Sequence, residues 1–316
     1  MDTKILIGVE QLYRYYGHHL AVDGISFELA QGEVLGFLGP NGAGKSTTMR
    51  MITGNLAPSA GRISINGIDL LDRPRQAKAE IGYLPEQPPL YPDLTVNEYL
   101  AYCARLHRVG PAKRGQAVAH AVQRCGLGEV GKRLIGNLSK GFQQRVGIAQ
   151  AILHNPAVVI LDEPTAGLDP NQIRDIRALI RELGESHGII LSTHILPEVQ
   201  ATCSRVQIIH RGRLVFSEAM ETLRQRLTGN ALTLETAAPL EVGVLQRVDG
   251  VTAVEPLGAN RARLHFDAGN PADKVAADVA SRGWGLVELA LDRQTLEQVF
   301  VELTCSEESG AAVEAA

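Results

Sequence analysis

Short, continuous apolar runs recur along the first two thirds of the chain and are separated by segments of helical periodicity. Val34–Leu38, Val158–Leu161 and Ile189–Ser192 are strand-length and apolar on both faces, the pattern of strands buried within a sheet. Residues 4–10 and 25–30 read as short strands around a Gly-containing turn, Arg62–Ile68 alternates, and Ile81–Leu84 runs into a loop, 85–92, that holds four prolines. Helices are predicted over 45–54, from Thr95 to about Arg108, over Ala112–Cys125, from Ser139 to about His154, over Pro170–Ser186 and over Leu196–Cys203. Thr95-Val96-Asn97-Glu98 carries a capping-box pattern, in which each side chain can reach the other residue's backbone N–H. Strands alternating with helices predict a mostly parallel sheet.

Beyond residue 228 the rhythm changes. A strand over Ala231–Thr236, a helix over Leu240–Val248 and strands over Val251–Pro256 and Arg261–Asp267 flank the turn Gly258-Ala259-Asn260. A helix over Ala272–Arg282 and a strand over Leu286–Leu291 complete a β-α-β-β-α-β order, which fits a ferredoxin-like arrangement. A last helix is predicted over Thr295–Thr304, followed by a small, acidic and disordered tail over 305–316.

Charge sharpens this division. Residues 1–228 carry 25 Lys+Arg against 21 Asp+Glu, and residues 229–316 carry 6 against 14. A net of +4 followed by −8 places a boundary near 228. The reading is therefore one α/β domain over 1–228, with a helical subdomain at about 86–154, and a small α+β accessory domain over 229–304. The overall charge of −4 and the pI of about 6.2 give no basic field for nucleic acid, and no nucleic-acid partner is expected. Four scattered cysteines without a CxxC pair point to free thiols. The start of the sequence lacks the pattern of a secretory signal, and no run approaches the roughly 18 apolar residues of a membrane helix. A function at a membrane would need another chain to span it.

Three segments carry chemistry. Gly39-Pro40-Asn41-Gly42-Ala43-Gly44-Lys45-Ser46-Thr47 fits G-x-x-x-x-G-K-[ST] between a predicted strand and helix. Glycines let successive N–H groups curl around anionic oxygens, and the helix N-terminus adds partial positive charge. Lys45 is placed to reach terminal phosphates and the Ser46 hydroxyl to bind Mg²⁺. Val158-Val159-Ile160-Leu161 ends in Asp162-Glu163, of which Asp162 suits Mg²⁺ and Glu163 can orient or deprotonate an attacking water. Ser139, in Leu138-Ser139-Lys140-Gly141-Phe142-Gln143-Gln144-Arg145, caps a helix whose exposed N–H groups suit a phosphate.

With these motifs in this order, residues 5–225 resemble the ATP-binding cassette (ABC) ATPases, whose signature reads L-S-G-G-Q. The resemblance implies a P-loop cassette with a mixed sheet core and a helical subdomain, binding ATP and Mg²⁺. Tyr16 corresponds to the aromatic that stacks on adenine, Asp169 in Ala166-Gly167-Leu168-Asp169 to the D-loop, and His194 to the switch histidine. A nucleotide-sandwich dimer is implied, with Ser139 and Gly141 of one copy facing the nucleotide on the phosphate loop of the other. Glu163, His194 and Lys45 are the implied catalytic group, and Ser46, Asp162 and Glu86 the implied metal ligands. The sequence departs from the family at Lys140 and Phe142. It also departs at the Q-loop, where Glu86 holds the family's Gln position and Gln87 follows, so either residue can serve.

The segment Pro88-Pro89-Leu90-Tyr91-Pro92 and its continuation to Val96 resembles the cassettes of bacterial export systems with separate membrane subunits. The implied protein is an ATPase on the cytoplasmic face of the inner membrane, driving export through a transmembrane permease. The alternative is a soluble ABC ATPase acting on ribosomes or DNA. One phosphate loop and no coiled-coil insertion argue against it. The remaining histidines lack ligand spacing, Trp284 reads as a packing residue, and the Arg73–Lys78 and Arg211–Arg213 clusters read as solvated faces.

Overall fold

The computed structural model describes residues 4–227, 231–267 and 269–291. The helix expected over 295–304, the tail 305–316 and the link Thr228-Gly229-Asn230 lie outside them. The chain divides into two compact units, Met1–Met220 and Glu221–Ala316.

The first unit opens with β1 (Ile5–Tyr16) and β2 (His19–Ala30), twelve residues each. Both extend past the expected short strands, to a turn at Gly17-His18 where Gly17 has φ 59°. The added halves read poorly because Tyr13, Tyr15 and Tyr16 interrupt any alternation, yet Leu12 and Val22 are buried once the strands pair. Then come β3 (Val34–Leu38), α1 (Lys45–Ile52) and β4 (Ala60–Ile65). The strand expected over Arg62–Ile68 is broken. Asn66 and Gly67 adopt positive φ (50° and 76°) and fold β5 (Ile68–Asp69) back onto β4, the usual chemistry of an Asn-Gly hairpin turn. There follow α2 (Pro74–Ala79), β6 (Ile81–Leu84), α3 (Val96–Leu106), α4 (Pro111–Arg124), α5 (Lys140–Ile152), β7 (Val158–Asp162), α6 (Pro170–Gly184), β8 (Gly188–Thr193) and α7 (Leu196–Thr202). A hairpin that the periodicity did not reveal, β9 (Arg205–His210) and β10 (Arg213–Ala219), closes the sheet.

Two sheets result. One is antiparallel with order β2-β1-β4-β5, and the other is β10-β9-β3-β8-β7-β6, in which only β10 runs antiparallel. The main core joins both sheets through Leu12, Ile25, Phe27, Phe37, Met49 and Ile160. β3, β7 and β8 are buried along their whole length, which explains their unbroken apolar runs. The C-terminal ends of these strands share one edge, where ligands bind in open α/β sheets.

The second unit takes in α8 (Met220–Leu227) from its second residue and continues with β11 (Ala231–Thr236), α9 (Val242–Leu245), β12 (Ala253–Pro256), β13 (Arg261–His265), α10 (Ala272–Ser281) and β14 (Leu286–Leu291). Its sheet order is β12-β13-β11-β14, with all neighbours antiparallel. Leu232, Leu234, Leu264, Val275 and Val279 form its core. The helix expected over Leu240–Val248 shrinks to four residues. Gly243 and three valines weaken it, and Arg247 and Val248 donate to carbonyls three residues back (3.0 and 3.2 Å), so the helix tightens and ends.

Candidate active site

At the ends of β3 and β7 lies a cleft of about 350 Å³, lined by Tyr16, His19, Ala21, Asn41, Gly42, Gly44, Lys45, Ser46, Thr47, Glu86, Glu163, Ala166 and His194. The phosphate-loop backbone forms one wall. A Cβ at Gly39 would sit 2.8 Å from the Ile209 side chain, and one at Gly44 (φ 108°) 2.7 Å from the Ala21 carbonyl. Only glycine fits these two positions. Gly39, Pro40 and Ala43 are not on the cleft wall. The carbonyls of Gly39 and Pro40 accept from Lys45 Nζ at 2.8 and 3.1 Å. Lys45 is only 7% exposed. Burial pulls its ammonium below the usual lysine range, against the opposing pull of Glu163, Asp162 and Glu86.

The two carboxylates after β7 take different places. Asp162 is the last strand residue and is buried; its Oδ1 has no hydrogen-bond partner. Burial raises its pKa. An unpartnered buried carboxylate oxygen is costly alone and suits a cation, so the residues present fit Mg²⁺. Glu163 leaves the strand with φ 48°, the left-handed region that a non-glycine residue enters only when its surroundings hold it there. The turn, rather than strand alternation, puts Glu163 on the cleft wall. His194 Nδ1 lies 2.8 Å from Glu163 Oε1, and the Thr193 hydroxyl donates to Glu163 Oε2 at 3.3 Å. Because a carboxylate only accepts, Nδ1 carries the hydrogen.

Behind them sits Glu198, 1% exposed, whose carboxylate accepts from Thr165 and lies 3.2 Å from the Thr193 hydroxyl, which shares its one hydrogen between Glu163 and Glu198. Sequence reasoning missed this trio. Thr193 is flagged only by its place beside His194, and Glu198 reads as an ordinary acidic residue in the first turn of a helix.

Glu86 lies on the cleft wall and Gln87 does not. Tyr16 is 43% exposed, and the Arg14 guanidinium sits over its ring at 4.7 Å. Ser139, Gly141 and Asp169 are not brought to this cleft. Ser139 caps α5, accepting from the Phe142 N–H at 3.5 Å. A Cβ at Gly141 would meet the Gln172 side chain at 2.6 Å. Asp169 caps α6, accepting from Asn171 and Gln172 at 3.0 Å each.

A phosphate loop, a strand-end carboxylate pair and a histidine-held glutamate on a mixed sheet describe a nucleotide-hydrolysing cassette. The family model for the ABC transporter matches residues 22–166. The chain is 32% identical to the uncharacterized ABC transporter ATP-binding protein YxlF of Bacillus subtilis over 94% of this chain and 99% of that protein. It is 38% identical to the bacitracin transport ATP-binding protein BcrA of Bacillus licheniformis, covering 70% and 72%. Among solved structures it is similar to an ATP-binding subunit of an ABC transporter (33% identity, TM-score 0.63, covering 70% and 92%). It is also similar to cbiO1 of Clostridium perfringens, part of the ABC transporter complex cbiONQ (29%, TM-score 0.65, covering 71% and 92%). The chain belongs to the ABC transporter ATP-binding proteins. It is an ATP-binding, ATP-hydrolysing transporter subunit, and among the described residues no helix is long and apolar enough to cross a membrane.

Proposed function

We propose that this subunit drives export through a separate transmembrane permease, pairing with a second copy of itself in a nucleotide sandwich. The observation that carries the site assignment is the Glu163 carboxylate, held by His194 and Thr193 on the wall that also presents Lys45. Glu163 is the general base for the attacking water. His194, anchored through Nδ1, presents its other nitrogen to the γ-phosphate. Lys45 and the loop N–H groups of 39–47 bind the phosphates, and adenine stacks on the face of Tyr16 that Arg14 leaves open. Ser46, Asp162 and Glu86 would hold Mg²⁺, which neutralises phosphate charge when bound. Glu86 takes this role in preference to Gln87, a reading supported by its place on the cleft wall. Ser139 and Gly141 at the start of α5, with Asp169, complete the site of the opposite copy.

Export and the peripheral place on the cytoplasmic face of the inner membrane rest on the chain's similarity to transporters named for bacitracin transport and Nod factor export. The permease docks in a second cleft of about 430 Å³, where Tyr91, Tyr99 and Tyr102 stand near the Q-loop Pro85. Tyr91 and Tyr102 meet edge to face at 5.7 Å, and Leu106 beside them is 62% exposed, an apolar surface suited to a partner helix. The cassette spans 1–228 and the accessory domain 229–304, a ferredoxin-like unit that regulates or dimerises; its antiparallel order β12-β13-β11-β14 supports that fold. Glu163→Gln tests the central assignment. ATP affinity should persist while phosphate release falls about 10²-fold or more, and near-normal turnover would overturn it.

A further inference from the structure

α3 and α4 form an antiparallel hairpin whose outer surface carries a third cleft of about 730 Å³. Ala101, Gly115, Val118, Ala119 and Val122 line its middle, and Arg105 and Arg114 stand where the hairpin closes. This is neither the nucleotide cleft nor the tyrosine-lined one, which share no lining residue with it.

Charge at the closed end is one-signed. Arg105, Arg108, Lys113 and Arg114 cluster within ten residues, and no Asp or Glu occurs between Glu98 and Glu129. Among the described residues none of the four forms an ion pair with a carboxylate; Arg114, which lines the cleft, donates through Nε to the Val109 carbonyl at 2.8 Å. Residues 99–128 carry five Lys+Arg and no Asp or Glu, more than the whole net excess of +4 over residues 1–228, and so one-signed a stretch suits an anion.

Gly115 is the second observation. It lies inside α4, where glycine is less favourable than alanine by about 1 kcal/mol. Neither a close approach nor a positive φ requires it, since a Cβ built there meets nothing within 4 Å. It is an exposed residue of the cleft lining, where a side chain would project into open space.

We infer that this cleft binds an anionic lipid, with the phosphate on Arg105 and Arg114 and the hydrocarbon chain along Ala101, Val118 and Val122. Guanidinium groups pair with phosphate in two-point geometry. An apolar groove with a few convergent polar groups is the usual form of a small-molecule site. The cleft has no aromatic side chain for stacking bases, which argues against nucleic acid. The inference draws on the proposed function only for the nearness of a membrane, and its test uses no permease, so the two fail separately.

The probe is dodecyl phosphate below its micellar concentration, titrated calorimetrically into the full chain with the phosphate loop filled by ADP. Saturable binding is expected, with inorganic phosphate and the uncharged dodecyl maltoside each at least tenfold weaker. Gly115→Leu, a change toward better helix propensity that puts a side chain into the space beside the cleft lining and leaves the charge intact, should weaken binding at least tenfold. Arg105→Gln should weaken it about fivefold, the loss expected for one cation near an anionic surface. Both variants should bind ADP as the unaltered chain does. Co-sedimentation should favour phosphatidylcholine vesicles with 30% phosphatidylglycerol over phosphatidylcholine alone, and Gly115→Leu should reduce that preference. Undiminished binding by Gly115→Leu would overturn the cleft in favour of plain surface electrostatics. Equal binding of inorganic phosphate would overturn the lipid, and so would saturable binding of an acidic amphipathic peptide with none of dodecyl phosphate.

Discussion

Glu163 and Lys45 represent two ways in which a single residue depends on its surroundings. Glu163 is held in a left-handed conformation and aimed by two side chains that come from β8 and the residue after it. Lys45 is nearly enclosed by the loop that it serves. Lys45→Ala removes a charge-assisted contact, roughly twice as strong as a neutral hydrogen bond, so a labelled-ATP titration should find affinity down at least tenfold. A third residue contributes to the pH response, together with the buried His107 and His187, whose pKa values burial also lowers. His154 stacks on His107 with ring centroids 3.9 Å apart and lies 3.1 Å from the Ile81 carbonyl through Nε2. Burial, then the neighbouring His107, pulls its pKa down to about 4. Its folded value lies below the unfolded 6.5, so the unfolded chain takes up protons first as pH falls. Stability is therefore full above about pH 6.5 and is lost as pH falls toward 4, by about 3 kcal/mol for this group. Urea unfolding at stepped pH should show that slope, and His154→Phe should make it shallower, with His107 and His187 supplying the remainder.

At the scale of elements, α3 is the clearest case of a helix written into its first four residues. The Thr95 N–H donates to Glu98 Oε2 at 2.9 Å and the Glu98 N–H to Thr95 Oγ1 at 3.3 Å. The Thr95 hydroxyl, which donates to Glu98 Oε2 at 2.7 Å, and then the Thr95 N–H hold the Glu98 carboxyl below its ordinary range. Thr95→Ala should cost about 1 kcal/mol and lower Tm by about 2–4 °C, measured by calorimetry, with ATP affinity unchanged. The β4–β5 turn was missed: the alternation over Arg62–Ile68 suggested one unbroken strand and outweighed the Asn66-Gly67 pair that folds it back. The hairpin β9–β10 was not legible either. Its outer strand is only partly buried, so its side chains lack the regular alternation that a one-sided core imposes.

For the whole molecule, the change in charge near residue 228 and the division into two compact units bear on how the parts are used. The first unit contains every element that lines the nucleotide cleft, and the second has its own core of Leu232, Leu234, Leu264 and Val279. Truncation after Leu227 should therefore leave ATP binding within about threefold of the full chain while altering turnover or dimerisation across ATP concentrations. Loss of binding in the titration would make the second unit part of the nucleotide fold.

The sequence by itself determined the parts whose chemistry is local. The phosphate loop was legible because glycine spacing, a strand before it and a helix after it are all properties of nearby residues. The buried strands declared themselves by apolar runs, and the helix caps at Thr95 and Ser139 by residue type, whereas the cap at Asp169 emerged only from the structure. Only the tertiary structure decided what depends on distant segments meeting. Glu86 rather than Gln87 on the cleft wall, Glu198 buried behind Thr193 and Thr165, and the unpartnered oxygen of Asp162 follow from how β6, β7 and β8 end, and α7 begins, at one edge of the sheet. Periodicity reports which face of an element is covered. Which residue of another element covers it is set by sheet order, and no local pattern encodes that.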